Sequence, residues 1–120
     1  MDHKTAHIKA REIQKKLQIS YSNHEYRDFP ILIKELKQIY EDSGSLRVKL
    51  AWSSLEALFN TEMGKFEQAI PFYLKSIDIG IEIKEPRVLI TNYINLGVLY
   101  GIIRNENQLI IILLFTYPMQ

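Results

Sequence analysis

Apolar residues recur along most of the chain at intervals of three and four, which is the spacing of one face of an α-helix. Five stripes of this kind follow one another, and no segment shows the strict alternation of a half-buried strand. The pattern therefore predicts an all-α protein. The residues of these stripes, expected to face inward, are Ile8, Ile13, Leu17 and Ser20; Ile33, Leu36, Ile39 and Tyr40; Val48, Ala51, Leu55, Leu58 and Glu62; Ala69, Tyr73, Ile77 and Ile81; and Val88, Tyr93, Leu96, Gly97 and Tyr100.

Turn-forming residues separate these stripes and predict where the helices end. The second and fourth stripes predict helices over 25–42 and 65–83, and a further helix is expected after Asn105. Pro30 and Pro71 lie 41 residues apart within two of these segments, and we interpret them as early-turn prolines or mild kinks. The predicted breaks are Ser22-Asn23, Ser43-Gly44-Ser45, Met63-Gly64, Lys84-Glu85-Pro86 and Arg104-Asn105.

The chain also shows an internal repeat of about 40 residues. Ile8, Val48 and Val88 align at this offset, and so do Ile39 and Ile79. The repeat predicts one domain of two and a half to three helical hairpins, with units 5–44, 45–84 and 85–120, the last incomplete. A longer alignment matches Ala57, Gly64, Phe66, Ala69 and Tyr73 with Gly97, Arg104, Glu106, Leu109 and Leu113.

Composition and charge exclude several classes of protein. The chain is 47% hydrophobic and 24% charged, which is typical of a folded domain and not of an intrinsically disordered one. With 15 Lys and Arg against 14 Asp and Glu, it has no bulk attraction to nucleic acid. Cysteine is absent, which excludes disulfides and thiolate metal sites. The apolar run at 109–115 is shorter than the roughly 20 residues of a membrane span. We expect a soluble, cytoplasmic protein without a membrane partner.

Candidate catalytic and metal-binding residues form no convincing constellation. His3 and His7 have a helical spacing, but no third ligand is fixed in sequence, and we interpret them as exposed, frayed residues near the terminus. The carboxylates at helix ends have no partner, and no glycine-rich phosphate loop or GxSxG motif occurs. The sequence predicts no enzyme, no cofactor and no metal. We interpret the basic residues of the first helix as its solvent-exposed face; they are Lys4, Lys9, Arg11, Lys15 and Lys16.

The segment 58–76 resembles a tetratricopeptide repeat. Small residues, a glycine and aromatic residues occupy the positions that this family uses, namely Ala57, Gly64, Phe66, Ala69, Tyr73 and Ser76. Residues 92–101 resemble the next first helix, with Tyr93 at the aromatic position and Gly97 at the small one. The pitch of about 40 is similar to the longer repeats of kinesin light chains and bacterial peptide-sensing regulators. The resemblance implies a right-handed α-solenoid of antiparallel helix hairpins, and a truncated member of that family.

The same resemblance implies a concave groove lined by the first helix of each hairpin. Asn95 matches an asparagine that contacts the ligand backbone in similar repeats. The alternative is that its side chain only hydrogen-bonds a neighbouring backbone group of the protein. The clamp that binds a C-terminal carboxylate in some relatives is not reproduced, since its positions are Gln14, Gln18, Ser54 and Leu58. The groove candidates are Arg11, Gln14, Gln18, Tyr21, Ser54, Leu58, Thr61, Glu62, Thr91, Ile94, Asn95 and Val98.

These observations favour a non-catalytic module that binds a protein or peptide, in bacterial regulation or signalling. The alternative is the sensor part of a signalling enzyme, of the response-regulator phosphatase or nucleotide cyclase type, without its catalytic domain. The uncharged run at 109–115 is also typical of an exposed aggregation-prone segment, and predicts self-association through this end.

Overall fold

The computed structural model describes the backbone of residues 1–116 and the side chains of residues 1–108 and Ile110. Residues 1–116 form five helices and no strand, so the all-α prediction is confirmed. Each helix packs against the next along the chain, and α1 also packs against α3. The helices are α1 (His3–Ser22), α2 (Phe29–Ser43), α3 (Leu46–Glu62), α4 (Phe66–Glu82) and α5 (Pro86–Thr116).

The turns between the helices recur at a fixed interval. In each turn one residue has left-handed backbone angles. This conformation lets N–H groups that follow a helix donate hydrogen bonds to the carbonyls of its last turn, which have no partner within the helix. After α1, α3 and α4 the N–H groups of Glu25, Lys65 and Glu85 donate to carbonyls five residues back, at 2.9, 2.8 and 2.9 Å. The left-handed residues are twenty positions apart: His24 (φ 55°), Gly44 (φ 68°), Gly64 (φ 74°) and Lys84 (φ 57°).

The first two hairpins, α1–α2 and α3–α4, bury the same positions. Seven pairs of residues forty positions apart are buried in both. At four of the pairs the second hairpin has the smaller residue, as Ala57 replaces Leu17 and Ala69 replaces Phe29, whereas Leu50 is larger than Ala10. The seven pairs are Ala10 and Leu50, Ile13 and Ser53, Leu17 and Ala57, Phe29 and Ala69, Ile33 and Tyr73, Leu36 and Ser76, and Ile39 and Ile79.

An aromatic cluster joins the two hairpins at α3. The ring of Trp52 stacks on that of Tyr40 from α2, with centroids 6.3 Å apart, and meets the edge of Phe72 from α4 at 6.4 Å. The ammonium groups of Lys37 and Lys75 lie 5.5 and 4.8 Å from the centre of the Trp52 ring, where its π electrons attract a cation. The cluster holds α3 between α2 and α4.

The third unit departs from the prediction, because α5 is continuous over 31 residues. The break expected at Arg104-Asn105 is wrong, since neither residue prevents the backbone from continuing as a helix. The inward positions of α5 also differ. Leu96 is buried as predicted, but Tyr93, Gly97 and Tyr100 are exposed, and Asn92 and Leu99 are buried in their place.

The surroundings of the glycines also contradict the prediction that Gly97 faces inward. A Cβ atom added to Gly97 would have no neighbour within 4 Å, so no other helix comes close there. At Gly80 an added Cβ would lie 3.1 Å from Cδ2 of Leu89. Gly80, in α4, is therefore the position at which α4 and α5 approach closely.

Smaller corrections concern helix starts and stripe residues. The second helix begins at Phe29 and not at residue 25, which places Pro30 in its first turn, whereas Pro71 lies inside α4. Ile8 and Ile81, predicted inward, are exposed. The other apolar residues of both stripes are buried as predicted, namely Ile13 and Leu17 in α1 and Ala69, Tyr73 and Ile77 in α4. Ala6 and Ala10 continue the buried face of α1, because they precede Ile13 and Leu17 at helical spacing.

Within the described residues, no helix is both long and apolar enough to cross a membrane. The apolar run at 109–115 lies outside the described side chains, apart from Ile110, which is exposed. Self-association through that run therefore stays a prediction.

Candidate peptide-binding groove

An open groove of about 640 Å³ runs between α1 and α3 and reaches the start of α5. Its volume lies within the range of ligand pockets in proteins, roughly 300–1,000 Å³. Most of its lining comes from the two first helices of the hairpins. The lining residues are His7, Ala10, Arg11, Gln14, Leu17, Gln18, Tyr21, Phe29, Arg47, Val48, Leu50, Ala51, Ser54, Leu55, Leu58 and Val88.

The groove has an apolar floor and a polar rim. Buried side chains form the floor, with Leu17 and Phe29 from the first hairpin and Val48 and Leu50 from α3. The exposed rim on α1 carries amide, hydroxyl and guanidinium groups; it consists of Arg11, Gln14, Gln18 and Tyr21. Such a combination can accept apolar side chains and also hydrogen-bond a peptide backbone.

One end of the groove is basic. Arg11 and Arg47 line it, and no Asp or Glu is among the lining residues. Arg47 forms a 2.7 Å ion pair with Glu85, just before α5, whereas Arg11 has no ion pair in the described part of the chain. The exposed Arg11 guanidinium is therefore available to a carboxylate on a ligand.

The two histidines lie beside this end and are more ordered than predicted. Nε2 of His7 lies 2.8 Å from the hydroxyl of Ser45, which caps α3, and Nε2 of His3 lies 3.1 Å from the carbonyl oxygen of Ser43. His3 is exposed, as expected, and His7 is half-buried. The expectation that they are frayed is wrong, because both imidazoles contact the turn between α2 and α3. Among the described residues, no group of three His, Asp or Glu side chains converges on a point.

The other end of the groove is closed by tyrosines around one carboxylate. The hydroxyls of Tyr21 and Tyr26 donate to the two oxygens of Glu62, at 3.2 and 3.4 Å. Burial raises the pKa of the Tyr21 phenol, and the charge of Glu62 raises it further; the pKa of Tyr26 is raised for the same reasons. Both phenols therefore remain protonated donors at neutral pH, and they hold the end of α1 to the end of α3.

Serine hydroxyls fix the wall that α3 contributes. The buried Ser53 and Ser76 hydroxyls lie 2.7 Å apart, and the Ser54 hydroxyl donates to Ser76 at 3.2 Å. Ser54 also lines the groove, so this network connects the groove wall to α4. Buried hydroxyls that are all hydrogen-bonded favour a single arrangement of the two helices.

Six of the twelve predicted residues line the groove: Arg11, Gln14, Gln18, Tyr21, Ser54 and Leu58. Thr61 is turned to α4, where its hydroxyl lies 3.1 Å from that of Tyr73, and Glu62 binds the tyrosines at the groove end. The four predicted residues of α5 do not line it; they are Thr91, Ile94, Asn95 and Val98. Asn92, and not Asn95, is the buried asparagine of α5, and its amide donates to the Val88 carbonyl at 2.9 Å.

The sequence reasoning missed the basic end and the apolar floor. A signal for both was present, because His7 and Arg47 are forty residues apart, as are Ala10 and Leu50. The offset of forty residues, used for the apolar as well as the polar residues near Arg11, identifies both features.

Comparisons with models of known protein families, with curated proteins and with solved structures found no match.

Proposed function

We propose that this protein is a non-catalytic binding module that holds an extended protein or peptide segment in the groove between α1 and α3. The observation that supports this function best is the apolar floor beneath a rim of amides and hydroxyls, along a groove lined by the first helices of two hairpins. We further propose that the array is of the tetratricopeptide type, with a role in bacterial regulation or signalling. The resemblance of residues 58–76 supports that part.

The charge of the groove indicates the chemistry of the ligand. Arg11 and Arg47 line one end, and no Asp or Glu is among the residues that line the groove. A segment with apolar side chains and an acidic residue at this end would match both features. Because Arg47 is already paired with Glu85, Arg11 is the residue that we expect to contact the acid.

Selection of peptides from a random display library would test the proposal. Peptides that bind the wild-type chain should lose at least tenfold in affinity against Ala51→Gln, which places a longer side chain into the groove from α3. Ile19→Glu is the matched control, because Ile19 is 64% exposed on α1 and does not line the groove. Selected peptides that bind wild type and Ala51→Gln equally would contradict the proposed site.

A further inference from the structure

The second hairpin shows how α4 covers one face of α3. The hydroxyl of Ser53 lies 2.7 Å from that of Ser76 in α4, and the hydroxyl of Thr61 lies 3.1 Å from that of Tyr73. Ala57 follows Ser53 and precedes Thr61 by four residues, and it is fully buried in one cluster with Tyr73. Ser53, Ala57 and Thr61 therefore mark the face of a first helix that the second helix of its hairpin covers.

The same face of α5 is not covered by any residue whose side chain the structure describes. The residues forty positions later are Tyr93, Gly97 and Gly101, and all three are exposed. A Cβ atom added to Gly97 or Gly101 would have no neighbour within 4 Å, so a helix could approach closely there. Ile90 and Ile94 lie on the same side and are each 60% exposed. We call the side of α5 that carries these five residues the uncovered face.

α5 itself contains the segment that the repeat would place over this face. At a pitch of 40 residues, Phe66 at the start of α4 corresponds to Glu106. Residues 106–116 nevertheless continue the same helix, because no turn interrupts α5 between Pro86 and Thr116. A helix that continues in line does not return to its own earlier residues. The segment, apolar throughout 109–115, therefore cannot cover the uncovered face of its own chain.

Two copies of α5 can supply this segment to each other. The contact of Ser53 with Ser76 defines the register of the second hairpin, and forty residues later the same register sets position 93 opposite 116, 97 opposite 112 and 101 opposite 108. Positions 97, 101, 108 and 112 lie on one side of a single helix, since they are spaced by four, seven and four residues. An antiparallel pair of identical helices is two-fold symmetric, so each copy covers the other. Gly97 of each copy then faces Ile112 of the second copy.

The charges of α5 favour a weak and reversible pair. No charged residue occurs from Val88 to Ile103, so the pairing buries no charge on the uncovered face. The two-fold axis passes between positions 104 and 105, where Arg104 lies beside its own equivalent, and this contact between like charges opposes association. Because dimerisation follows mass action, the face stays open in dilute solution and is covered in concentrated solution.

We propose that two copies of the chain pair through α5, with residues 106–116 of each copy on the uncovered face of the other, in the place that α4 takes on α3. The assembly closes with two copies, because each copy has one such face and one such segment. The proposal names the surface on which the apolar run at 109–115 packs when the chain self-associates. It is independent of the groove between α1 and α3.

Sedimentation velocity of the full chain over a wide range of concentration is the first test. We expect monomers in dilute solution and dimers, without larger species, in concentrated solution. Gly97→Lys should weaken dimerisation at least tenfold, since its side chain stands where the second helix approaches. Thr91→Lys is the matched control, because it adds the same side chain to an exposed position on the groove side of α5. Arg104→Gln should strengthen the dimer at least threefold by removing the contact between like charges.

A designed turn tests whether the end of α5 is exchanged between copies. Arg104 corresponds to Gly64, which has left-handed angles, and Glu106 corresponds to the first residue of α4. The double variant Arg104→Gly, Glu106→Pro supplies a glycine for the left-handed position and a proline for the first position of a new helix. Residues 106–116 can then fold back on their own chain. The variant should be monomeric in concentrated solution, with little change in helicity by circular dichroism.

Crosslinking tests the register, because the chain has no cysteine of its own. A short bismaleimide should join copies that carry Gly97→Cys and Ile112→Cys into a covalent dimer. These positions are about 22 Å apart along one helix, so they meet only between copies. Thr91→Cys with Ile112→Cys is the control and should not crosslink.

Three results would overturn the proposal. The first is a chain that stays monomeric at every concentration, and the second is a dimer that Gly97→Lys does not weaken, which would place the contact on another surface. The third is a dimer that persists in the variant with the designed turn, which would show that the copies associate without exchanging the end of α5.

Discussion

α3 and α5 begin forty residues apart and differ in what surrounds them. α3 packs against α1, α2 and α4, and its residues Leu50, Ser53 and Ala57 are buried. The corresponding residues of α5 are exposed, since α5 packs on α4 and a helix equivalent to α4 does not follow it in residues 1–116. The comparison teaches that a repeat in sequence fixes which positions can be buried, while burial itself depends on a neighbouring helix.

The largest effect is expected in the covered hairpin. Ala69→Trp should lower the free energy of unfolding by about 1–3 kcal/mol or more, because Ala69 is fully buried beside Ala57 and Tyr73. Chemical denaturation followed by circular dichroism would measure the change. Val98→Trp is the matched control, because Val98 is exposed on α5, and it should leave the denaturation midpoint nearly unchanged. A midpoint for Ala69→Trp equal to wild type would contradict the packing of α3 on α4.

A smaller loss is expected from the hydroxyl network between α3 and α4. Ser53→Ala removes the 2.7 Å contact to Ser76 and should cost about 1 kcal/mol of unfolding free energy. The equivalent change on α5, Tyr93→Ala, removes an exposed ring and should cost less than half as much. Urea titration of both variants would decide, and a larger loss for Tyr93→Ala would show that α5 is covered in solution.

At Gly97, on the exposed side of α5, we expect a substitution to stabilise the protein and not to destabilise it. Gly97→Ala should raise the free energy of unfolding by about 0.5–1 kcal/mol, because alanine favours the helix and its Cβ meets nothing within 4 Å. Thermal unfolding would measure the gain. Destabilisation by Gly97→Ala would mean that another helix already packs there.

The smallest effect concerns pH at the start of α1. The Asp2 carboxylate accepts a 2.7 Å hydrogen bond from the Thr5 N–H, which holds the pKa of Asp2 below its ordinary value of 3.8. A carboxyl group with a lowered pKa in the folded state stabilises the fold above pH 3.8, and this contribution is lost as the pH falls through the folded pKa. Asp2→Asn should therefore flatten the pH dependence of helicity below pH 4. An unchanged profile would show that this cap forms only weakly.

Much of the fold could be predicted from the sequence, and particular residues show where the prediction failed. The stripes at Ile33, Leu36 and Ile39 predicted α2 correctly, because apolar spacing on a well-covered helix matches burial directly. At Tyr93 and Gly97 the same reasoning failed, since spacing alone does not reveal whether a neighbour is present. Six of the sixteen residues that line the groove were predicted, because the repeat places Gln14 near Ser54 and Gln18 near Leu58. His7 and Arg47 were missed because the apolar periodicity along one helix does not show how α1 and α3 lie side by side. Only the offset of forty residues between them relates the two positions.

The turns at His24, Gly44, Gly64 and Lys84 have a consequence for how such a chain can change in length. Because they divide the backbone into stretches of twenty residues, a duplication or deletion of forty residues that begins at one turn and ends at another keeps every later helix in its orientation. An insertion of one or two residues inside a helix would instead rotate every later helix, since each residue turns the helix by about 100°. Lineages of this protein would thus gain or lose whole hairpins more readily than single residues within a helix, and each added hairpin would lengthen the groove and move the uncovered face outward.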